Sequence, residues 1–170
     1  MCPENHRIFK KGKNMKINWK LLILCIAIPL AVGGVAALLT GGGMDVFESV
    51  NQPLLSPPAW LFPVVWTILY TLMGISSYLI LTSGAEKEEV QNALSIYAYQ
   101  LTVNFLWPTF FFNFRWFFFS FLWLLLLIFL VAAMIREFYK ISKPAAYLNI
   151  PYLIWLLFAG YLNFTIWWLN

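Results

Sequence analysis

Pro57-Pro58-Ala59-Trp60-Leu61-Phe62-Pro63-Val64-Val65-Trp66-Thr67-Ile68-Leu69-Tyr70-Thr71-Leu72-Met73-Gly74 runs on to Thr82 without one charged side chain. A helix rises 1.5 Å per residue, so crossing ~30 Å of hydrocarbon takes about 20 apolar residues. This stretch has the length and the composition for that. Working outward with the same reading gives five spans, at about 19–39, 58–82, 90–112, 116–135 and 145–168. Backbone polar groups cannot stay unpaired in lipid, so spans are helices or closed barrels. These runs are too long, and too poor in period-two alternation, for barrel strands. The expected fold is an all-α integral membrane bundle of five transmembrane helices over 19–170, behind a basic tail at 1–18.

Composition supports that reading. Hydrophobic residues make up 62% of the 170 and charged residues 11%, against ~25% in an ordinary soluble domain. A soluble domain of this size could not bury so much apolar surface. A soluble globular protein, a disordered chain and a nucleic-acid module are therefore excluded.

The connections are short. Residues 40–57 form the longest, with Gly41-Gly42-Gly43, Asp45, Glu48, Pro53 and Pro57. Pro57, Pro58 and Pro144 suit helix first turns, where a missing N–H costs nothing. Arg7, Lys10, Lys11, Lys13, Lys16, Lys20, Lys87, Arg136, Lys140 and Lys143 fall on one side of a five-span bundle, and only Arg115 on the other. The positive-inside rule then puts the N-terminus in the cytoplasm and the C-terminus outside a cell membrane. The tail can also meet anionic headgroups. The first span is too long for a signal peptide, and its loss would spoil the charge fit. Leu24 is too bulky for a lipoprotein box ending at Cys25. Met15 is an alternative start.

Conventional chemistry is nearly absent from the spans. Every acid lies at or beyond a span end, and the one histidine, His6, sits in the tail. No buried carboxylate is present to couple transport, and there is no acid–base pair or activated nucleophile. Two distant cysteines, Cys2 and Cys25, make neither a disulfide framework nor a zinc site. This argues against a secondary transporter, a pump and a conventional hydrolase.

Aromatic rings and amides remain, with 9 Trp, 8 Tyr and 16 Phe. Trp19, Trp60, Trp116, Trp167 and Trp168 fit an interface belt near span ends. Trp66 and Trp155 lie deeper. In span three, Tyr97, Gln100, Asn104 and Trp107 follow at gaps of three, four and three, which is one helix face. Pro108 should kink or end the helix after them. Span two carries Trp66, Tyr70, Gly74 and Ser77 on one face; span five carries Tyr152, Trp155, Ala159 and Asn163. Ala31, Gly33, Gly34 and Ala37 give span one a close-contact surface. Helix–helix hydrogen bonding and small-residue packing explain these stripes as well as a ligand pocket does.

Three segments carry a resemblance. The quoted run with Asn51-Gln52-Pro53 before it, then Gln100…Asn104-Phe105-Leu106-Trp107-Pro108…Phe111-Phe112, then Pro151-Tyr152…Trp155…Phe158-Ala159…Leu162-Asn163, resemble in order the motifs of the tryptophan-rich sensory protein / translocator protein family (TspO/MBR). The resemblance implies a five-helix receptor-like membrane protein, often a homodimer, with a pocket opening toward the first loop. It implies protoporphyrin IX or haem as ligand, with no required cofactor, and synthetic drug-like apolar ligands besides. It also implies stress signalling and, in some members, light-dependent porphyrin breakdown. By motif position Trp66, Asn104, Trp107, Trp155, Ala159 and Leu162 line the pocket. Tyr70, Gln100, Tyr152 and Asn163 join them from the stripes. Trp66 and Trp155 would react with the excited porphyrin, and Gln100 and Asn104 would donate to its carboxylates. Arg115 could pair with a propionate or anchor the turn to headgroups. With no histidine in the spans, metal-free porphyrin or haem without His ligation is expected. Leu162-Asn163-Phe164-Thr165-Ile166-Trp167-Trp168 lacks the Tyr and the basic residue of the mitochondrial cholesterol motif, which points to a bacterial-type member. The competing functional reading is a passive transporter or exporter of porphyrins or other amphipathic small molecules.

Overall fold

The computed structural model describes residues 17–41 and 43–170, without the Met44 side chain. The tail is therefore almost wholly outside the described residues. The described chain is mostly helical, with no strand among the described residues: α1 Trp19–Leu39, α2 Gly43–Ser49, α3 Leu61–Leu81, α4 Lys87–Pro108, α5 Phe117–Ile141, α6 Lys143–Tyr147 and α7 Ile150–Leu169. Four segments are long and apolar enough to cross a membrane, namely α1, α3, α5 and the Lys143–Leu169 stretch of α6 and α7. The expected five spans are thus four by this measure. α4 has the length, but Lys87, Glu88, Glu89, Gln91 and Asn92 crowd its first turns and lower its hydropathy.

Several boundaries differ from expectation for local reasons. α3 begins at Leu61, so Pro63 occupies its first turn, while Pro57 and Pro58 lie in the preceding loop. Pro144 does sit at the start of α6, as expected. α5 runs on to Ile141 and carries Arg136, Glu137 and Lys140 on its last turns, where a basic loop was expected. Lys140 donates to both oxygens of Glu137 at 2.7 Å, and cations suit a helix C-terminus. Pro108 ends the α-helical ladder, and Thr109–Asn113 continues as a π-helical turn. Residues 40–57, read as loop, contain α2. Its Asp45 suits a helix first turn, and its buried Phe47 anchors it to the bundle.

α1 packs along α3 and also meets α4; α4 packs on α5; α5 packs on α7 and α6; α6 returns to α3. Gly74 permits the α1–α3 contact. A Cβ there would strike the Ile26 backbone and stand 2.7 Å from the Cys25 carbonyl oxygen. Backbone cannot rotate aside, so Gly74→Ala forces the helices apart. We expect a loss of ~1–3 kcal/mol, seen as earlier thermal unfolding in detergent. Gly34→Ala, where an added Cβ meets nothing within 4 Å, should not do this.

The outer faces are apolar, with Ile23, Phe129 and Ile154 each more than 60% exposed. Such a surface suits lipid rather than water. Trp19, Trp60, Trp116 and Trp168 are exposed near helix ends. Inside are two apolar cores. The larger holds Leu69, Met73, Leu127, Met134, Phe138 and Leu156; the smaller holds Phe47, Phe111 and Ile166 near the α2 end.

Candidate functional site

A cavity of about 630 Å³ lies where the two cores meet. Helices α1, α3, α4, α5 and α7 all contribute to its wall, and α2 closes over it. Leu30, Gly33, Gly34 and Ala37 come from α1; Phe62, Pro63, Trp66, Thr67 and Tyr70 from α3. Asn104 and Trp107 come from α4, Leu124 and Leu127 from α5, and Trp155, Leu156, Ala159, Leu162, Asn163 and Ile166 from α7. Phe47 of α2 and Phe111 and Phe112 of the π turn complete it. Among the described residues Asp45 is the only charged one on the wall.

Of the sequence-derived site residues, Trp66, Tyr70, Asn104, Trp107, Trp155, Ala159, Leu162 and Asn163 come together on this wall. Gln100 and Tyr152 do not. Both are buried behind it, at 0% and 1% exposure. They belong to a directed chain of hydrogen bonds. Tyr70 Oη donates to Asn104 Oδ1 at 2.7 Å, Asn104 Nδ2 donates to Tyr152 Oη at 2.8 Å, and Tyr152 Oη donates to Gln100 Oε1 at 3.1 Å. Gln100 Nε2 ends the chain on the Met73 sulfur at 3.8 Å. Gln100 is therefore not positioned to donate to a ligand carboxylate in this cavity, contrary to expectation. The physical reason is that buried amides and hydroxyls pair with one another when no water reaches them.

The rings are locked by similar contacts. Trp66 stacks on Tyr70 with centroids 5.3 Å apart and meets Tyr152 edge-on at 6.0 Å. Trp155 meets Phe62 edge-on at 5.9 Å, and Phe62 meets Phe47 at 5.0 Å. Trp107 stacks on Phe111 at 5.1 Å, and its indole N–H is buried without a protein acceptor. Asn163 Nδ2 donates to Ser120 Oγ of α5 at 3.0 Å. Gly33 lies against the Tyr70 ring, where a Cβ would collide with it. The close-contact surface expected of span one thus narrows to Gly33; Gly34 and Ala37 line the cavity at its exposed α1 edge, and Ala31 is exposed away from it.

The chain around the α2 end of the cavity is tied down. Asn51 N donates to Asn170 Oδ1 at 3.0 Å, Asn170 Nδ2 donates to the Asn51 carbonyl at 3.2 Å, and Gln52 Nε2 donates to the Phe47 carbonyl at 2.6 Å. Asn113 Nδ2 donates to the Leu39 carbonyl at 3.1 Å, joining the π turn to α1. Arg115, held at φ 53°, is exposed and not on the wall. Cys25 is buried in α1 and also lies off the wall. Sequence reasoning missed Phe47, Phe62, Phe111 and Phe112. Their signal was weak, because phenylalanine-rich runs give no hint of which rings turn inward.

An all-helical, multi-pass type of chain with an aromatic cavity between its helices is a class many proteins could occupy. Comparison narrows it. The family model of the TspO/MBR family matches residues 25–169. The chain is 40% identical over 151 residues to the tryptophan-rich protein TspO of Chlorobaculum tepidum, covering 88% of this chain and 95% of that one. It is 37% identical to the translocator protein of Bos taurus, covering 82% and 84%. It is 33% identical to the tryptophan-rich sensory protein of Cereibacter sphaeroides, covering 88% and 91%. The chain belongs to the TspO/MBR family of membrane proteins.

Proposed function

We propose that the protein binds tetrapyrroles, protoporphyrin IX or haem, in the cavity between its helices, and that it promotes their light-dependent breakdown. The observation that carries this reading is one cavity with Trp66, Trp107 and Trp155, from three different helices, on its wall. Its volume falls in the ~300–1,000 Å³ range of small-molecule sites, which are mostly apolar with a few polar groups. A flat macrocycle suits rings that stack or meet edge-on, for ~0.5–1.5 kcal/mol each beyond the area they bury. Trp66 and Trp155 are the reactive rings in this reading. Among the described wall residues none is His or Cys, and in this reading haem is held without His ligation.

In the same proposal α4 is a fifth span, its polar face turned inward and its charged first turn at the cytoplasmic surface. The α2 end of the cavity then faces outward, in keeping with the excess of lysine and arginine on the opposite side of a five-span bundle. Two copies form a homodimer.

The test is a tryptophan-fluorescence titration with protoporphyrin IX in detergent, in the dark. Saturable quenching is expected. Linear, non-saturating quenching equal to that of free tryptophan in the same micelles would refute a site.

A further inference from the structure

Beside α2 lies a second, more open hollow that shares Phe47 with the cavity and that the tetrapyrrole reading does not use. α2 and the loop into α3 form it. Glu48 comes from the last turn of α2, Gln52 and Ser56 from the loop, and the Pro57-Pro58 pair and Trp60 from the approach to α3. Trp60 is 66% exposed, and Glu48 is exposed and makes no ion pair among the described residues.

The polar groups of this hollow suit a cation. Glu48 is an anion. Gln52 spends its Nε2 on the Phe47 carbonyl at 2.6 Å, which leaves the acceptor Oε1 uncommitted. Ser56 Oγ is buried in the same wall without a protein partner. Among the described residues no lysine or arginine lines the hollow, so nothing there attracts an anion. The rest of the wall is apolar, chiefly the two prolines, Phe47 and the Trp60 indole. A carboxylate beside aromatic rings favours a cation with an apolar body. A bare metal ion is poorly served: calcium takes ~6–8 oxygen ligands, and one carboxylate with one amide oxygen falls far short. A primary ammonium brings three N–H donors, more than these acceptors satisfy. A quaternary ammonium brings none, and its methyl groups can rest on rings.

We propose that this hollow binds a quaternary ammonium group, with Glu48 as its counter-charge and Trp60 and the prolines as the surface its methyl groups touch. The group belongs either to a choline-type lipid headgroup or to a free quaternary amine. In the five-span arrangement Trp60 lies at the outer interface, the level at which such headgroups sit. The site is distinct from the cavity between the helices and does not depend on what occupies it.

The experiment follows thermal unfolding of the full chain in micelles of a sugar detergent. Tetramethylammonium chloride is titrated against sodium chloride of equal ionic strength. In a second arm, short-chain phosphatidylcholine is titrated against phosphatidylglycerol with the same chains. Wild type should gain ~2–4 °C, saturably, with tetramethylammonium beyond the sodium control. Glu48→Gln should weaken the apparent affinity ~3–5-fold, the size of one exposed charge contact. Trp60→Leu should weaken it ~2–5-fold, the size of an exposed cation–π contact. Each variant is read against its own ligand-free midpoint, so a change in basal stability does not mimic lost binding. Phosphatidylcholine outdoing phosphatidylglycerol in wild type but not in Glu48→Gln identifies a lipid headgroup as the source. A response to tetramethylammonium alone identifies a free amine. No response to either compound beyond its control, a response undiminished in Glu48→Gln, or calcium chloride matching tetramethylammonium would overturn the site.

Discussion

Replacing Trp66 and Trp155 together by phenylalanine should reduce porphyrin photobleaching to the rate in empty micelles, with helical circular dichroism unchanged. Both rings are on the cavity wall, within reach of a macrocycle seated there. An indole in contact with an excited porphyrin is the easiest side chain to oxidise, and phenylalanine keeps the shape while removing that property. Trp66 already stacks on Tyr70, and Trp155 is braced by Phe62, so smaller rings leave gaps but no clash. Dark binding should weaken by less than photobleaching, because phenylalanine retains part of the stacking. Bleaching at the wild-type rate in the double variant would remove both residues from the reaction.

Asn104→Leu should give the largest stability loss of any single substitution in the hydrogen-bond chain. Its amide accepts from Tyr70 and donates to Tyr152, so leucine leaves two buried hydroxyls each short of a partner. Orphaning a buried polar group costs ~1–3 kcal/mol, so ~2–4 kcal/mol is expected for the pair. Typical hydrogen bonds between membrane helices contribute only ~0.6 kcal/mol, because partners are also found before packing. The larger figure follows from the burial of Tyr152 and Asn104, at 1% and 4% exposure. Tyr70→Phe, which removes one link only, should cost about half as much. Thermal unfolding in detergent measures the series. Asn104→Leu unfolding at the wild-type temperature would mean the chain of hydrogen bonds carries no stability.

Much of this architecture was legible in the residues, and the misses have physical causes. Hydropathy located α1, α3, α5 and α7 because lipid demands long uncharged runs. α4 was located too, yet its hydropathy falls short, because charges and amides crowd its first turns and its inner face carries two more amides. Periodicity grouped Tyr97, Gln100, Asn104 and Trp107 on one stripe, but a stripe spans the height of a bundle. It could not say that Asn104 and Trp107 reach the cavity while Gln100 lies behind it. α2 was hidden by Gly41-Gly42-Gly43 and by its own shortness; tertiary contacts hold it, through buried Phe47 and Gly43 against Phe112. The inward turn of Phe111 and Phe112 depends on Pro108 breaking the α-helical ladder into a π turn. Sequence marks the proline but not the rotation that follows.

In the proposed function a ligand occupies the void itself. Gly34 gives a direct test, since it lines the cavity at its exposed α1 edge and an added Cβ meets nothing within 4 Å. Gly34→Phe should fill part of the cavity without straining the backbone, and replacing a helical glycine favours the helix. In a dark titration with protoporphyrin IX, the account predicts at least about a tenfold loss of affinity in a protein no less stable than wild type, since a ring-sized obstruction removes stacking and burial together. Undiminished affinity in that variant would contradict it.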